Sequence, residues 1–389
     1  MTRDFTAVCF PTPPQGCPLF PLIPRPNLDT MTPLRFVGIN FDHMHMGDNL
    51  RMVVDSPQAS LVGICDLRPE RMEEAVARLN ISRDQVFTSP EKCLETAQAD
   101  VAILCPAAAE HADWVERVAP YVRAVLLEKP FAASLAEADR MIQVCRKHNT
   151  LLAINWPLVW VASHQTAKTL LRQGHIGTLR EVHYYNGNRG PLWHTAEKIE
   201  RTAEWVAGEK PHSWFYSAQR GGGSLLDYLG YGTTLGTWYF DGEKPIEVTS
   251  TIDKPLGLEV DEHSITVARY AAGLSKFETR WGTFTDPWIA QPQPKCGFVL
   301  VGTEGTISSY DYENKVTLQT RAEPKAHDLP VIPLCSPYRN PIEYIAYILC
   351  TGEPLQGPLS PEISRIGQQI VDTAFQSAQL KRTLPLRDA

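Results

Sequence analysis

The chain has 389 residues, 43% of them hydrophobic and 21% charged, with a formal net charge of -7. That length exceeds what one hydrophobic core usually supports, so two domains are expected. A mild acidic excess without a cluster of lysine and arginine excludes nucleic acid and an anionic membrane surface as partners, and no apolar run reaches the roughly 18 residues of a membrane helix.

Residues 1–33 are dense in proline and show no periodicity, which predicts an N-terminal arm that adds little to the fold. From Leu34 the pattern becomes regular. Short apolar runs at Leu34–Ile39, Leu61–Cys65, Val101–Cys105, Ala124–Leu127 and Leu151–Ile154 alternate with helical spacing at 46–55, 69–79, 108–119 and 134–148. Strands that read as continuous apolar runs between helices predict a parallel sheet covered on both faces, so residues 34–155 are expected to form a doubly wound α/β domain. Its ligand belongs beyond the carboxyl ends of the strands. After a helix at 163–173 the texture changes to longer segments rich in Tyr, Trp, Val and Thr, at 178–187, 246–254, 263–271, 275–285, 297–301 and 306–309. These predict an α+β domain over 156–389, with a large, mostly antiparallel open sheet, a helix near 223–240 and a final helix at 360–381. Nine scattered cysteines (9, 17, 65, 93, 105, 145, 296, 335 and 350) show no C-x-x-C pair. They read as free core thiols in a reducing cytoplasm, with no disulfide framework and no metal site.

The first strand-to-helix turn, Gly38-Ile39-Asn40-Phe41-Asp42-His43-Met44-His45, stands where a dinucleotide fold places G-x-G-x-x-G. Only Gly38 keeps the pattern; Asn40 tolerates a left-handed backbone and is a workable substitute. Asp66 ends the second strand, 28 residues after Gly38, where a carboxylate accepts from ribose hydroxyls and repels a 2′-phosphate. That favours NAD, while Arg68 leaves NADP open. Further on, Cys105-Pro106 closes a strand, with His111 behind it, and an apolar strand runs directly into Glu128-Lys129-Pro130. A charged pair at a buried sheet edge is costly unless it faces a ligand. Finally, Gly221-Gly222-Gly223 opens a helix whose Asp227 and Tyr231 share one face at i, i+4 spacing. An acid and a phenol after a loop that lets backbone approach a ligand form a proton-handling pair.

In this order, G-x-N-x-x-H-x-H, C-P-x-x-x-x-H, E-K-P and G-G-G-x-L-L-D-x-x-x-Y resemble the glucose–fructose oxidoreductase / inositol dehydrogenase / MocA family, in its tyrosine branch. The resemblance runs from Arg35 to the last helix. It implies a Rossmann domain followed by a sheet domain that helps build a homo-oligomer, and a nicotinamide lying across the cleft near Lys129. It further implies that Lys129 bonds the reacting oxygen, Asp227 orients substrate and Tyr231 is the acid/base, its pKa lowered by Lys129. Gly38, Asn40, His43, His45, Asp66, Arg68, Cys105, Pro106, His111, Glu128 and Lys129 are then the expected cofactor contacts. Two departures stand out. The loop lacks its second and third glycines, and Trp156-Pro157-Leu158-Val159-Trp160 replaces a segment that often holds an arginine. An aromatic, sugar-stacking pocket is expected instead, with Asn155, Arg189, Trp193, His194 and Trp288 as candidate substrate contacts.

The expected activity is hydride transfer between NAD (or NADP) and a sugar, cyclitol or related alcohol. Two alternatives remain from the residues alone. One is an enzyme that retains NAD and passes through a transient keto intermediate; the other is a non-catalytic dinucleotide-binding regulator.

Overall fold

A computed structural model describes residues 32–388 of the chain; all but two residues of the proline-rich arm lie outside them. The first half runs β1 (Leu34–Ile39), α1 (His45–Val54), β2 (Ala59–Cys65), α2 (Glu73–Leu79), β3 (Val86–Phe87), α3 (Pro90–Ala97), β4 (Val101–Leu104), α4 (His111–Val118), β5 (Ala124–Glu128), α5 (Leu135–His148) and β6 (Leu151–Asn155). Its six strands are all parallel, in the order β3-β2-β1-β4-β5-β6. Every residue of β4 and β5 is buried, as strands covered by helices on both faces require. Gly38 earns its place by packing: a Cβ there would lie 2.9 Å from both Met46 and Leu50 of α1.

The second half contains α6 (Ala162–Arg172), β7 (Leu179–Asn188), α7 (Ala203–Glu209), α8 (Ser224–Tyr239), β8 (Glu247–Asp253), β9 (His263–Arg269), β10 (Leu274–Trp281), β11 (Gly297–Gly302), β12 (Gly305–Tyr310), β13 (Lys315–Thr320), β14 (His327–Pro330), α9 (Pro341–Thr351), α10 (Pro361–Leu380) and β15 (Leu384–Pro385). Its nine-stranded sheet has the order β14-β13-β12-β11-β7-β10-β9-β8-β15 and is antiparallel except where β10 runs parallel to β7. Alternate residues of β10 (Ser275, Phe277, Thr279, Trp281) are buried, the period of a sheet with one covered face. Helix α8 lies on that face and α10 lies on α8. The last helix also reaches back to the first half, where Arg365 forks onto Asp139 (2.5 and 2.8 Å). No helix among the described residues is long and apolar enough to cross a membrane.

One cysteine expectation fails. Cys65, Cys93, Cys105, Cys145 and Cys296 are buried free thiols and Cys350 is an exposed one, but Cys335 is disulfide-bonded. Cys335 sits half-buried in an irregular stretch between β14 and α9 rather than in an apolar strand, so core packing does not shield its sulfur.

Candidate active site

The site is built where the carboxyl end of β5 meets α8. Lys129 follows β5 directly and donates to Asp227 Oδ1 at 2.5 Å; the two side chains are 3% and 0% exposed. Tyr231, one turn along α8, sets its ring 5.6 Å from the Lys129 ammonium, as does Tyr228. Sequence spacing thus brings Lys129, Asp227 and Tyr231 together. The electrostatics run against one expectation, however. The Tyr231 phenol is pushed well above its ordinary range by burial, then by the Glu128 and Asp227 carboxylates. The lowering expected from Lys129 does not prevail, although its ammonium lies 5.6 Å from the ring. Burial raises the Asp227 carboxyl as well, against the pull of Lys129.

Glu128 faces the other way. Its carboxylate accepts from His45 Nδ1 (2.8 Å), Asn155 Nδ2 (3.1 Å) and Asn49 Nδ2 (3.4 Å). Burial would raise its pKa, but His45 and Lys129 outweigh that and hold it below the usual range. Asn155 is therefore a support for Glu128, although its Oδ1 has no partner. His43 Nδ1 accepts the His45 N–H at 3.2 Å. Burial, then Lys129, keeps the His43 ring neutral, so its proton sits on Nε2, a buried atom without a partner. His43, His45 and Glu128 offer atoms within 4.8 Å of one another. In the structure these groups are engaged with one another, His45 Nδ1 with the Glu128 carboxylate and His43 Nδ1 with the His45 N–H.

The β1–α1 loop compensates for its missing glycines. Asn40 takes the left-handed conformation (φ 67°), and its Oδ1 accepts the Asp42 N–H at 2.8 Å. Asp66, 3% exposed, accepts from Phe41 N (2.7 Å) and Arg68 N (2.8 Å), and is held at about 6, chiefly by burial. Sequence reasoning missed Asp42, whose carboxylate gathers Arg71, Arg220 (3.1 Å), Arg68 (3.5 Å) and the Ala107 N–H (3.4 Å). These donors suit the phosphates of a dinucleotide, and the unpartnered His43 Nε2 and Asp227 Oδ2 lie toward the reactive end. The residues fit such a cofactor: Arg68, Arg71, Arg220 and Ala107 N–H would hold its phosphates. Trp214 and Phe215, stacked at 4.0 Å, cover the loop, and Trp214 Nε1 donates to Asp42 O at 3.1 Å.

Other expected contacts are held in place by hydrogen bonds within the fold. His111 is buried between Phe131 O and Pro106 O (both 3.2 Å), tying the loops after β4 and β5 together. Cys105 is buried, its carbonyl accepting the His43 N–H at 3.0 Å. The glycines before α8 do not open its N-terminus to a ligand. Asp261 does the capping, accepting from Ser224 Oγ (2.7 Å) and Leu225 N (2.9 Å), and a Cβ on Gly223 (φ 109°) would meet Asp261 Oδ1 at 2.7 Å. Arg189 is bound to Asp286 (2.6 Å) and Glu200 (2.8 Å), with Trp193 against its guanidinium, and neither lines the cavity beside Lys129. His194 and Trp288 do line that 80 Å³ cavity, with Lys129, Asp227, Tyr228 and Tyr231. A larger cavity of 310 Å³ adjoins it between α1, α2 and residues 191–220.

Residues 36–156 match the model of the Gfo/Idh/MocA oxidoreductase family, NAD-binding Rossmann fold, and residues 164–308 match the family's C-terminal domain. The chain belongs to the Gfo/Idh/MocA family. Its first half is therefore an NAD-binding Rossmann domain, and its second half is the family's sheet domain. Among curated relatives, myo-inositol 2-dehydrogenase of Thermotoga maritima is 27% identical over 130 residues, 33% of this chain and 37% of that protein. D-apiose dehydrogenase of Paraburkholderia graminis is 30% identical over 124 residues, 32% of each chain. These matches thus span about a third of the relatives' length. Whole-chain likeness appears in solved structures. The aldose–aldose oxidoreductase of Caulobacter crescentus, complexed with glycerol, superposes with a TM-score of 0.72 at 18% identity, over 91% of this chain and 100% of that one. An Agrobacterium radiobacter oxidoreductase in complex with NAD+, L-tartaric acid and magnesium gives 0.71 at 18% identity, over 91% and 99%.

Proposed function

We propose that this protein is an NAD(P)-dependent oxidoreductase that transfers a hydride between its nicotinamide cofactor and a secondary alcohol or carbonyl of a sugar or cyclitol. The observation that carries the reading is the buried Lys129–Asp227 pair beside Tyr231 at the carboxyl edge of β5. The nicotinamide, when bound, supplies or takes the hydride. Lys129 polarises the substrate oxygen by donating to it. Asp227, with one carboxylate oxygen on Lys129 and the other free, orients the ammonium and accepts from a neighbouring hydroxyl. The Tyr231 phenol holds the proton that passes to or from the reacting oxygen. Names of relatives such as myo-inositol 2-dehydrogenase and D-apiose dehydrogenase support this substrate range.

We further place the protein in the cytoplasm, as a homo-oligomer assembled through its C-terminal sheet. The five buried free thiols support a reducing compartment, whereas the Cys335 disulfide pulls the other way. Thiol counting in fresh lysate and light scattering test these two points. For the activity, purified protein is incubated with NAD or NADP and a panel of aldoses, ketoses and cyclitols, in both directions. Cofactor turnover with one of them, lost in Lys129→Met, is expected; no turnover with any sugar or cyclitol would refute the reading.

A further inference from the structure

The cavity beside Lys129 contains a second cation that the proton chemistry does not use. Lys198 lines it, with its ammonium 4.3 Å above the Trp288 ring. Among the described residues this ammonium makes no ion pair and no hydrogen bond. The two aspartates lining the cavity are already engaged, Asp227 with Lys129 (2.5 Å) and Asp311 with His164 Nε2 (2.7 Å). Lys198 is the charge left over.

Its position is held deliberately by the fold. Glu197 and Lys198 have consecutive left-handed backbones (φ 57° and 58°), a region that L-residues other than Asn and Gly seldom adopt. Strain of that kind persists only where the surroundings over-determine it. Here Glu197 N donates to Asp48 Oδ1 (2.7 Å), and the Glu197 carboxylate is gripped by Arg51 (3.1 Å) and Arg78, so α1 and α2 pin the turn from outside. Pinning Glu197 outward turns Lys198 inward.

The remaining polar atoms point the same way. Trp288 Nε1 is a buried donor without a partner, and so is His43 Nε2; His194 Nδ1, also unpartnered, belongs to a ring kept neutral by burial and by Lys198 itself. Among the described residues lining the cavity, the unpartnered carboxylate oxygen is Asp227 Oδ2. Such a donor-rich wall is satisfied by a ligand rich in acceptor oxygens.

We propose that Lys198 recognises an anionic group on the substrate, a carboxylate or a phosphate, so that the enzyme acts on an acidic sugar rather than a neutral one. The inference rests on the oxidoreductase reading of this site and adds the substrate's charge. Lys198 and the Trp288 N–H take the oxyanion at one end, while Lys129 and Tyr231 meet the reacting oxygen at the other.

The test uses the full chain with NAD and three matched comparisons: D-glucuronate against D-glucose, D-galacturonate against D-galactose, and D-glucose 6-phosphate against D-glucose. Binding is read by calorimetry and by the fluorescence of the tryptophans, Trp288 included. At least one anionic member should bind at least about 10-fold more tightly than its neutral partner, in line with a hydrogen bond to a charged group; which one responds identifies the oxyanion. Lys198→Met should erase that preference and Lys198→Arg should keep most of it, with Lys198→Gln as the second neutral variant. If no anionic probe outbinds its neutral partner, or a folded neutral variant keeps the preference, the proposal is overturned. Preferential binding without hydride transfer in any pair would instead overturn the oxidoreductase reading and leave this one standing.

Discussion

Removing Lys129 alone should destabilise the protein at least as much as removing both members of the Lys129–Asp227 pair. The two side chains are 3% and 0% exposed and meet at 2.5 Å, so either one alone is a buried charge without compensation. Breaking such a pair typically costs about 3–5 kcal/mol. The Lys129 ammonium also lies 5.6 Å from the rings of Tyr228 and Tyr231, a contact worth roughly 0.5–2 kcal/mol that Lys129→Met loses as well. Lys129→Met is therefore the worse single variant and Asp227→Asn the milder one, because its amide oxygen still accepts from Lys129. The double variant replaces two charges by two neutral groups of similar volume. It should be no less stable than Lys129→Met, giving a coupling of about 3 kcal/mol in the double-mutant cycle. Urea unfolding without added cofactor measures this. Single effects within about 0.5 kcal/mol of wild type that simply add would refute a buried, mutually dependent pair. Turnover, in contrast, should be lost in all three, which separates stability from catalysis.

Tyr231→Phe should lower turnover by roughly 100- to 10,000-fold with cofactor affinity nearly unchanged, and Tyr231→His should restore part of it with a shifted pH profile; full turnover in the Phe variant would remove the tyrosine from the mechanism. Asp66, held at about 6 against about 3.9 when unfolded, binds more protons in the native state between those values. Its contribution is whole below about pH 4 and is lost as pH rises through 6. Asp66→Asn should flatten that part of the melting-temperature profile, and an unchanged slope would show the carboxyl is not perturbed. NAD should bind more tightly than NADP, because a 2′-phosphate at the end of β2 meets the Asp66 carboxylate; NADP tenfold tighter in a fluorescence titration, about 1.4 kcal/mol, would mean that Arg68 prevails.

What could be read from sequence was whatever depends on local pattern. The buried strands β1, β2, β4, β5 and β6 announced themselves as apolar runs, and the i, i+4 spacing of Asp227 and Tyr231 placed both toward Lys129. Elements without such a pattern went unread. β3 has only two residues, and α9, buried on nearly every side, offers no polar face to give it helical period. The site shows the same division. Arg189 reads as a candidate substrate contact until Asp286, 97 residues later, pairs with it. Lys198 belongs to no motif, and Arg51 and Arg78, 146 and 119 residues before Glu197, fix the turn that aims it inward. The capping of α8 by Asp261 is likewise a partnership across 36 residues that no glycine pattern discloses.

The electrostatic finding at Tyr231 bears on how the proton moves. A phenol raised by burial and by two nearby carboxylates keeps its proton at neutral pH, so its resting contribution is to donate a hydrogen bond. That suits stabilisation of an alkoxide as it forms from a carbonyl, where the phenol is the acid. In the opposite direction the phenol must first lose its proton, and within this closed site neither Lys129, paired with Asp227, nor the neutral ring of His43 offsets the rise set by burial and the two carboxylates. Turnover toward the alcohol should therefore hold up across neutral pH, and turnover toward the carbonyl should climb as pH rises. An oxidative limb that levels off near neutrality would mean that Lys129 parts from Asp227 during the reaction and turns its charge on the phenol.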